Sequence, residues 1–219
     1  MSNVPAAAAP RDVVLRGRYV RVEPLTADHV LDLAYETAGD EEVWRWLPAF
    51  PRDEHDLARV VAEALAARDR GDRFPFAVVD AATGRAVGSS SYLDIAPGDH
   101  RIEIGWTWLA RRVWRSAVNT EAKLLLLGHA FDDLGYERVA LKTHHQNQRS
   151  QAAIERLGAV REGVLRHHML HRDGTWRDSV YYSVLAGEWP AVRTRLESAL
   201  ASRGPDRGPD SVSTRRGWG

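Results

Sequence analysis

The stretch RRVWRSAVNTEAKLLLLGHAF, residues 111–131, leads from a basic, small-residue loop into a run of four leucines, Leu124 to Leu127. The leucine run predicts a core helix over about 119–134. An ordinary helix start needs one capping residue. This one is approached through Arg115-Ser116-Ala117-Val118-Asn119, whose small side chains leave several backbone N–H groups open. The first N–H groups of a helix lack carbonyl partners, and the helix dipole makes that end positive. With Arg111, Arg112 and Arg115 adding full charges, the segment suits a phosphate or pyrophosphate. An arginine-rich connection with no ligand reads equally well. No Gly-Lys-Ser/Thr is present, so it is not a Walker loop, and the glycines of a dinucleotide fingerprint are missing.

Upstream lie three strand-like runs, FPFAVVD (74–80), RAVGSSSYLDI (85–95) and HRIEIGWTWL (100–109). An Ala-Thr-Gly turn and Pro97-Gly98-Asp99 separate them, which predicts an antiparallel meander. Before these, Val13–Leu15 and Tyr19–Pro24 read as short strands about Gly17. Thr26 caps a helix carrying Val30, Leu31, Leu33 and Ala34; VWRWLPAF (43–50) reads as an aromatic loop. Asp53 opens a longer helix with Leu57, Val60, Val61, Ala64 and Leu65 on one face, ended by Gly71. Downstream come a strand (137–143), a short helix (147–158), two strands joined at Arg172-Asp173-Gly174, and a closing helix from Glu188 to Leu200. The order predicts a mixed α/β sheet with one right-handed crossover. Residues 1–11 and 202–219, the latter repeating RGPD, read as disordered tails around a single domain over 12–201.

The composition narrows the function classes. Of 219 residues, 44% are apolar and eight are Trp, enough for a sizeable core. Lys+Arg and Asp+Glu both total 30, a balance that argues against a nucleic-acid partner, although Arg111, Arg112, Trp114 and Arg115 imitate a basic aromatic patch. The absence of Cys excludes disulfides, thiolate metal sites and a cysteine nucleophile. No leader pattern and no run near ~18 apolar residues is present, so a cytoplasmic protein without membrane attachment is expected. Lys123 and Lys142 are the only lysines, a bias that codon usage explains without function.

Strand RIEIGWTWL, then the phosphate loop, then NTEAKLLLLGHAF, then VALKTHHQNQRSQAAIERLGAVREG, in that order, resemble the GNAT acyltransferases, and most nearly their RimJ/RimL-like N-terminal acetyltransferase branch. The resemblance covers about residues 13–190. It implies an α/β (α+β) GNAT fold, with a central mixed, mostly antiparallel, splayed sheet flanked by helices. It also implies N-acetyltransferase activity with acetyl-CoA as cosubstrate and no metal. The acceptor would be a protein N-terminus, a lysine or a small-molecule amine, and the chain a monomer or homodimer. In the family the loop reads Arg/Gln-x-x-Gly-x-Gly/Ala; here Trp114, Ala117 and Asn119 stand at the defining positions. The backbone role survives this change, because an N–H donor does not need Gly unless φ is positive.

Acyl transfer to an amine needs a base, since the amine starts with a pKa of ~8 to ~10.4. It also needs donors for the developing oxyanion. Glu103 is the candidate base; by alternation it shares a face with Gly105 and Thr107, opposite Ile102, Ile104 and Trp106. A surface pair with Arg101 or Arg138 is the alternative. The resemblance implies that backbone groups of Trp108, Leu109 and Ala110 pair with the pantetheine arm, and that Arg115, Ser116, Ala117, Val118, Asn119 and Thr120 hold the pyrophosphate. It further implies that Asn147 contacts the pantetheine or thioester end. Four residues past Ser150, where many of these enzymes carry a tyrosine acid, stands Ile154, so Ser150 is the remaining candidate acid. Both Asn147 and Ser150 also read as ordinary helix-start residues. His144-His145 and His167-His168-x-x-His171 suggest a metal only weakly, because alternation sends His167 and His168 to opposite faces. His144 and the aromatic loop are expected beside the acceptor. Two alternatives stay open: a CoA-binding regulatory module with weak catalysis, and a transferase for a larger acyl donor such as succinyl-CoA, if an Arg faces the cleft.

Overall fold

Eight strands form one sheet in the order β1-β2-β3-β4-β5-β6-β8-β7 in a computed structural model, which describes residues 6–203. The strands are β1 (Leu15–Arg16), β2 (Val20–Pro24), β3 (Arg73–Asp80), β4 (Ala86–Ala96), β5 (Arg101–Leu109), β6 (Arg138–His144), β7 (Val160–Leu170) and β8 (Trp176–Leu185). The helices are α1 (Val30–Thr37), α2 (Glu41–Trp44), α3 (Glu54–Asp69), α4 (Val118–Gly128), α5 (Gln148–Leu157) and α6 (Trp189–Ala201). All strand pairs are antiparallel except β5 with β6, which are parallel. The mixed, mostly antiparallel α/β architecture is thus the one expected.

The parallel pair is short. It links Arg101 to Arg138, Ile102 to Val139 and Glu103 to Ala140, and no further residue pair joins the two strands. Beyond it, β6 stays paired with β8 as far as His144, while β5 runs on beside β4 to Leu109. The sheet therefore splays open between residues 104–109 and 141–144.

Each face of the sheet carries its own core. On one side α4 and α6 pack over Phe76, Tyr92, Ile102, Ile104, Val139 and Tyr182. On the other, α1 and α3 cover Ala77, Val79 and Trp108. The leucine run divides as a helix on a sheet must: Leu126 and Leu127 are fully buried, Leu124 and Leu125 partly. Burying each of the first two contributes roughly 1.5–3 kcal/mol. Glu121 fixes the start of α4, its carboxylate accepting the N–H groups of Arg18 (2.9 Å), Tyr19 (2.6 Å) and Val20 (2.8 Å). Gly17 makes this approach possible, because a Cβ there would lie 2.3 Å from the Glu121 carboxyl carbon.

Three elements differ from expectation. The helix expected over 119–134 ends at Gly128 and continues as a wider π turn over His129–Asp133, which brings His129 Nδ1 to Asp133 Oδ2 at 2.7 Å. The aromatic loop begins later than expected, because Asp40 caps α2 by accepting the Glu42 N–H, and Trp44 Nε1 donates to Thr37 O at 2.8 Å. The expected N-terminal tail is tied down over its described part: Ala7 is buried, and the N–H groups of Ala7 and Ala8 donate to Pro97 O and Leu134 O. The remaining expected tail, 1–5 and 204–219, lies outside the described residues. No described helix is long and apolar enough to cross a membrane.

Candidate active site in the splay of the sheet

A bulge in β5 shapes the site. Ser89 faces Trp108 and Ser91 faces Gly105, so Trp106 and Thr107 together oppose Ser90. Trp106 sits at φ +46°, a left-handed conformation that is costly for a bulky side chain. The bulge breaks the alternation and corrects the face expected for Thr107. Thr107 turns to the α4 side, where Lys123 Nζ donates to its Oγ1 at 2.6 Å and to Ser90 Oγ at 3.1 Å. Trp106 joins the Glu103 side, under the guanidinium of Arg73, which itself donates to Ser91 Oγ.

Glu103 is 3% exposed. Its Oε2 accepts from Lys142 Nζ at 2.8 Å, and its Oε1 is buried without a partner among the described residues. The expected alternatives are otherwise engaged, Arg101 with Asp94 and Arg138 with Glu162. Burial pushes the Glu103 carboxyl above its ordinary value, outweighing the stabilising Lys142 charge. Gly105 keeps Oε1 open, since a Cβ at that position would lie 2.6 Å from it.

The loop before α4 leaves donors free. Among the described residues, the N–H groups of Arg115, Ala117, Asn119 and Thr120 have no hydrogen-bond partner. The Ser116 hydroxyl is used within the loop, donating to Val113 O and accepting from Val118 N–H. Arg115 stands at φ +62° with no ion pair among the described residues, and Ala117 and Val118 are buried. Two expected charges are diverted: Arg112 pairs with Glu36 and Asp80, and Arg111 lies 3.8 Å from Asp40. Arg149, which the sequence reading missed, lies beside the loop. It lies 3.5 Å over the Trp114 ring, near enough to Arg111 and Arg115 that their charges, after burial, help to lower its pKa. Its position in the first turn of α5 was the available signal.

Of the three residues expected to pair with a pantetheine arm, Ala110 is corrected. Its N–H donates to Val87 O and its carbonyl accepts from Val113 N–H, so both backbone groups are used. The Leu109 carbonyl accepts from Trp114 Nε1 at 2.8 Å. Trp108 is core on its side-chain end, 4.7 Å from Trp44 between ring centroids. The backbone of residues 104–108 has no strand neighbour on the splay side. At the opposite edge Asn147 caps α5, its Oδ1 accepting the Ser150 N–H at 3.0 Å. The Ser150 hydroxyl has no hydrogen-bond partner among the described residues. Ile154 is buried core.

On the Glu103 face the aromatic loop meets the β7–β8 hairpin. Trp46 packs against His144 with centroids 4.6 Å apart, and the Arg172 guanidinium lies over Phe50. Burial, with the charges of His145, Arg177 and His171, lowers the His144 pKa to about 4, so this imidazole is neutral at pH 7. Among the described residues, no group of three or more His, Asp or Glu side chains is placed to hold a metal ion.

The site is thus a splayed sheet with open helix-start donors on one side and a buried carboxylate on the other. The family described as acetyltransferase (GNAT) domain matches residues 20–160, and the chain belongs to that family. A putative ribosomal N-acetyltransferase, YdaF of Bacillus subtilis (strain 168), is 34% identical over 106 residues, covering 48% of this chain and 57% of that protein. The match thus spans little more than half of that curated relative. The crystal structure of a GCN5-related N-acetyltransferase from Brucella melitensis is similar over 94% of both chains, with a TM-score of 0.87 and 33% identity. Mycobacterium smegmatis RimJ in complex with CoA-disulfide shares the fold, at a TM-score of 0.73 and 22% identity over 86% of this chain and 94% of that one.

Proposed function

We propose that this chain transfers an acetyl group from acetyl-CoA to an amine, with Glu103 as the base. One observation carries the reading: the splay holds free N–H donors at its α4 end and a buried carboxylate with one uncommitted oxygen on its floor. The donor set fits the cosubstrate. The N–H groups of Arg115, Ala117, Asn119 and Thr120 and the charges of Arg115 and Arg149 suit a pyrophosphate. Acetyl-CoA supplies the activated acyl thioester. On its splay side, the backbone of residues 104–108 lends N–H groups to extend the sheet along a ligand and polarise its carbonyl.

Lys142 holds Oε2 of Glu103 and so directs Oε1 to the acceptor. The raised carboxyl pKa narrows the gap to the amine, and a proton passes to it directly or through water. Ser150 is the proposed acid for the departing thiolate, a modest demand given a thiol pKa of ~8.5. Trp46, His144 and the 165–178 hairpin frame the acceptor. Since the YdaF relative is named a ribosomal N-acetyltransferase, a protein N-terminus is the acceptor we favour.

The test is release of free CoA thiol from acetyl-CoA by the purified chain, with and without Ala-leading peptides. Release that depends on the peptide and yields N-acetylated product is expected. Tight CoA binding with no dependence on any amine would instead favour the regulatory module.

A further inference from the structure

Arg177 has no role in the chemistry above. On β8, Val180, Tyr182 and Val184 point into the α4-side core, so Arg177, Ser179 and Tyr181 share the opposite face with Glu103, Lys142 and His144. The Arg177 Nε is buried without a hydrogen-bond partner, and the residue makes no ion pair among the described residues. The titratable groups around it are engaged in different ways. Glu103 is matched by Lys142. Asp178 Oδ1 accepts the His167 N–H. His144 and His168 are held toward their neutral forms by burial and by the nearby cations. Among the described residues Arg177 thus makes neither an ion pair nor a hydrogen bond through Nε, although its charge and that of Glu103 act on each other. Its planar fork matches a carboxylate.

We infer that Arg177 selects a substrate bearing a carboxylate close to its reacting end, carried either by the amine acceptor or by a dicarboxylic acyl chain. This rests on the acyltransferase reading and adds the substrate class to it. No atom of Arg177 takes part in bond making; it decides which substrate is held.

Two matched pairs of probes separate the sources. Isothermal titration compares succinyl-CoA with acetyl-CoA, and steady-state acetyl transfer compares the C-terminally amidated dipeptides Glu-Ala and Gln-Ala as acceptors. Wild-type protein is expected to favour the acidic member of one pair by about tenfold or more, and Arg177→Gln to bring that ratio to about one. A preference in the first pair assigns the carboxylate to the donor, in the second to the acceptor. Arg177→Lys, which keeps the charge and loses the fork, is expected to lose part of the ratio, and serves if the Gln variant does not fold. Equal treatment of both pairs by wild type, or a ratio that both variants leave intact, overturns the inference. Failure of wild type to bind acetyl-CoA at all is a separate result, and it removes the acyltransferase reading together with this one.

Discussion

On the proposed mechanism, Glu103→Gln is expected to lower kcat/KM for acetyl transfer by about 10²- to 10⁴-fold at neutral pH, the range of a lost general base. The substitution preserves shape in a space that depends on the missing Cβ of Gly105. The amide still accepts from Lys142 but takes no proton. The pH profile carries the mechanism. A base works only when ionised, so wild-type kcat/KM rises with pH through the Glu103 pKa. Burial places that rise above the ordinary carboxylate range, despite the opposing Lys142 charge. Glu103→Gln abolishes this limb and leaves any rise that belongs to the amine. Loss of less than about threefold with the limb intact would move the base elsewhere.

Lys123→Met raises stability at pH 7, and the gain disappears toward pH 10. Lys123 is 5% exposed, donates to two hydroxyls and faces no carboxylate. Burial lowers its pKa to about 7. In the unfolded chain a lysine titrates near ~10.4. Between these values the unfolded state binds more protons than the folded one, so wild-type stability rises with pH across the window. At ~1.4 kcal/mol per unit the span amounts to ~5 kcal/mol at most. The Met variant lacks the slope. Its loss leaves no orphan, because Ser90 Oγ and Thr107 Oγ1 are 2.8 Å apart and satisfy each other. Urea unfolding of both proteins at pH 7, 8.5 and 10 reads the difference; parallel slopes would show that Lys123 stays charged when folded.

Much of the scaffold was legible because local chemistry announces it. Pro97-Gly98-Asp99 and Arg172-Asp173-Gly174 mark the hairpin turns, Asp53 and Asn147 cap their helices as their types suggest, and the leucine run falls on the core side of α4. What resisted reading depends on register and long-range pairing. Nothing in RIEIGWTWL says that a tryptophan adopts a left-handed conformation, so alternation alone put Thr107 on the wrong face. The Glu103–Lys142 pair exists because β5 and β6 run parallel in one register, 39 residues apart in the chain. Arg112 reads as a phosphate ligand until Glu36 and Asp80, from two other elements, are seen to hold it. Arg149 has only its place at the start of α5 and matters through Trp114; Arg177 carries no local motif and matters through the partner it lacks.

The most direct measurement is isothermal titration of acetyl-CoA into the wild-type chain and into Asn119→Glu. The substitution sets a carboxylate among the open N–H groups of the α4 loop, where a pyrophosphate belongs if the reading is right. Roughly micromolar affinity for wild type, lost in the variant, is the predicted result. No binding by wild type, or equal binding by both proteins, would contradict a CoA site in this splay.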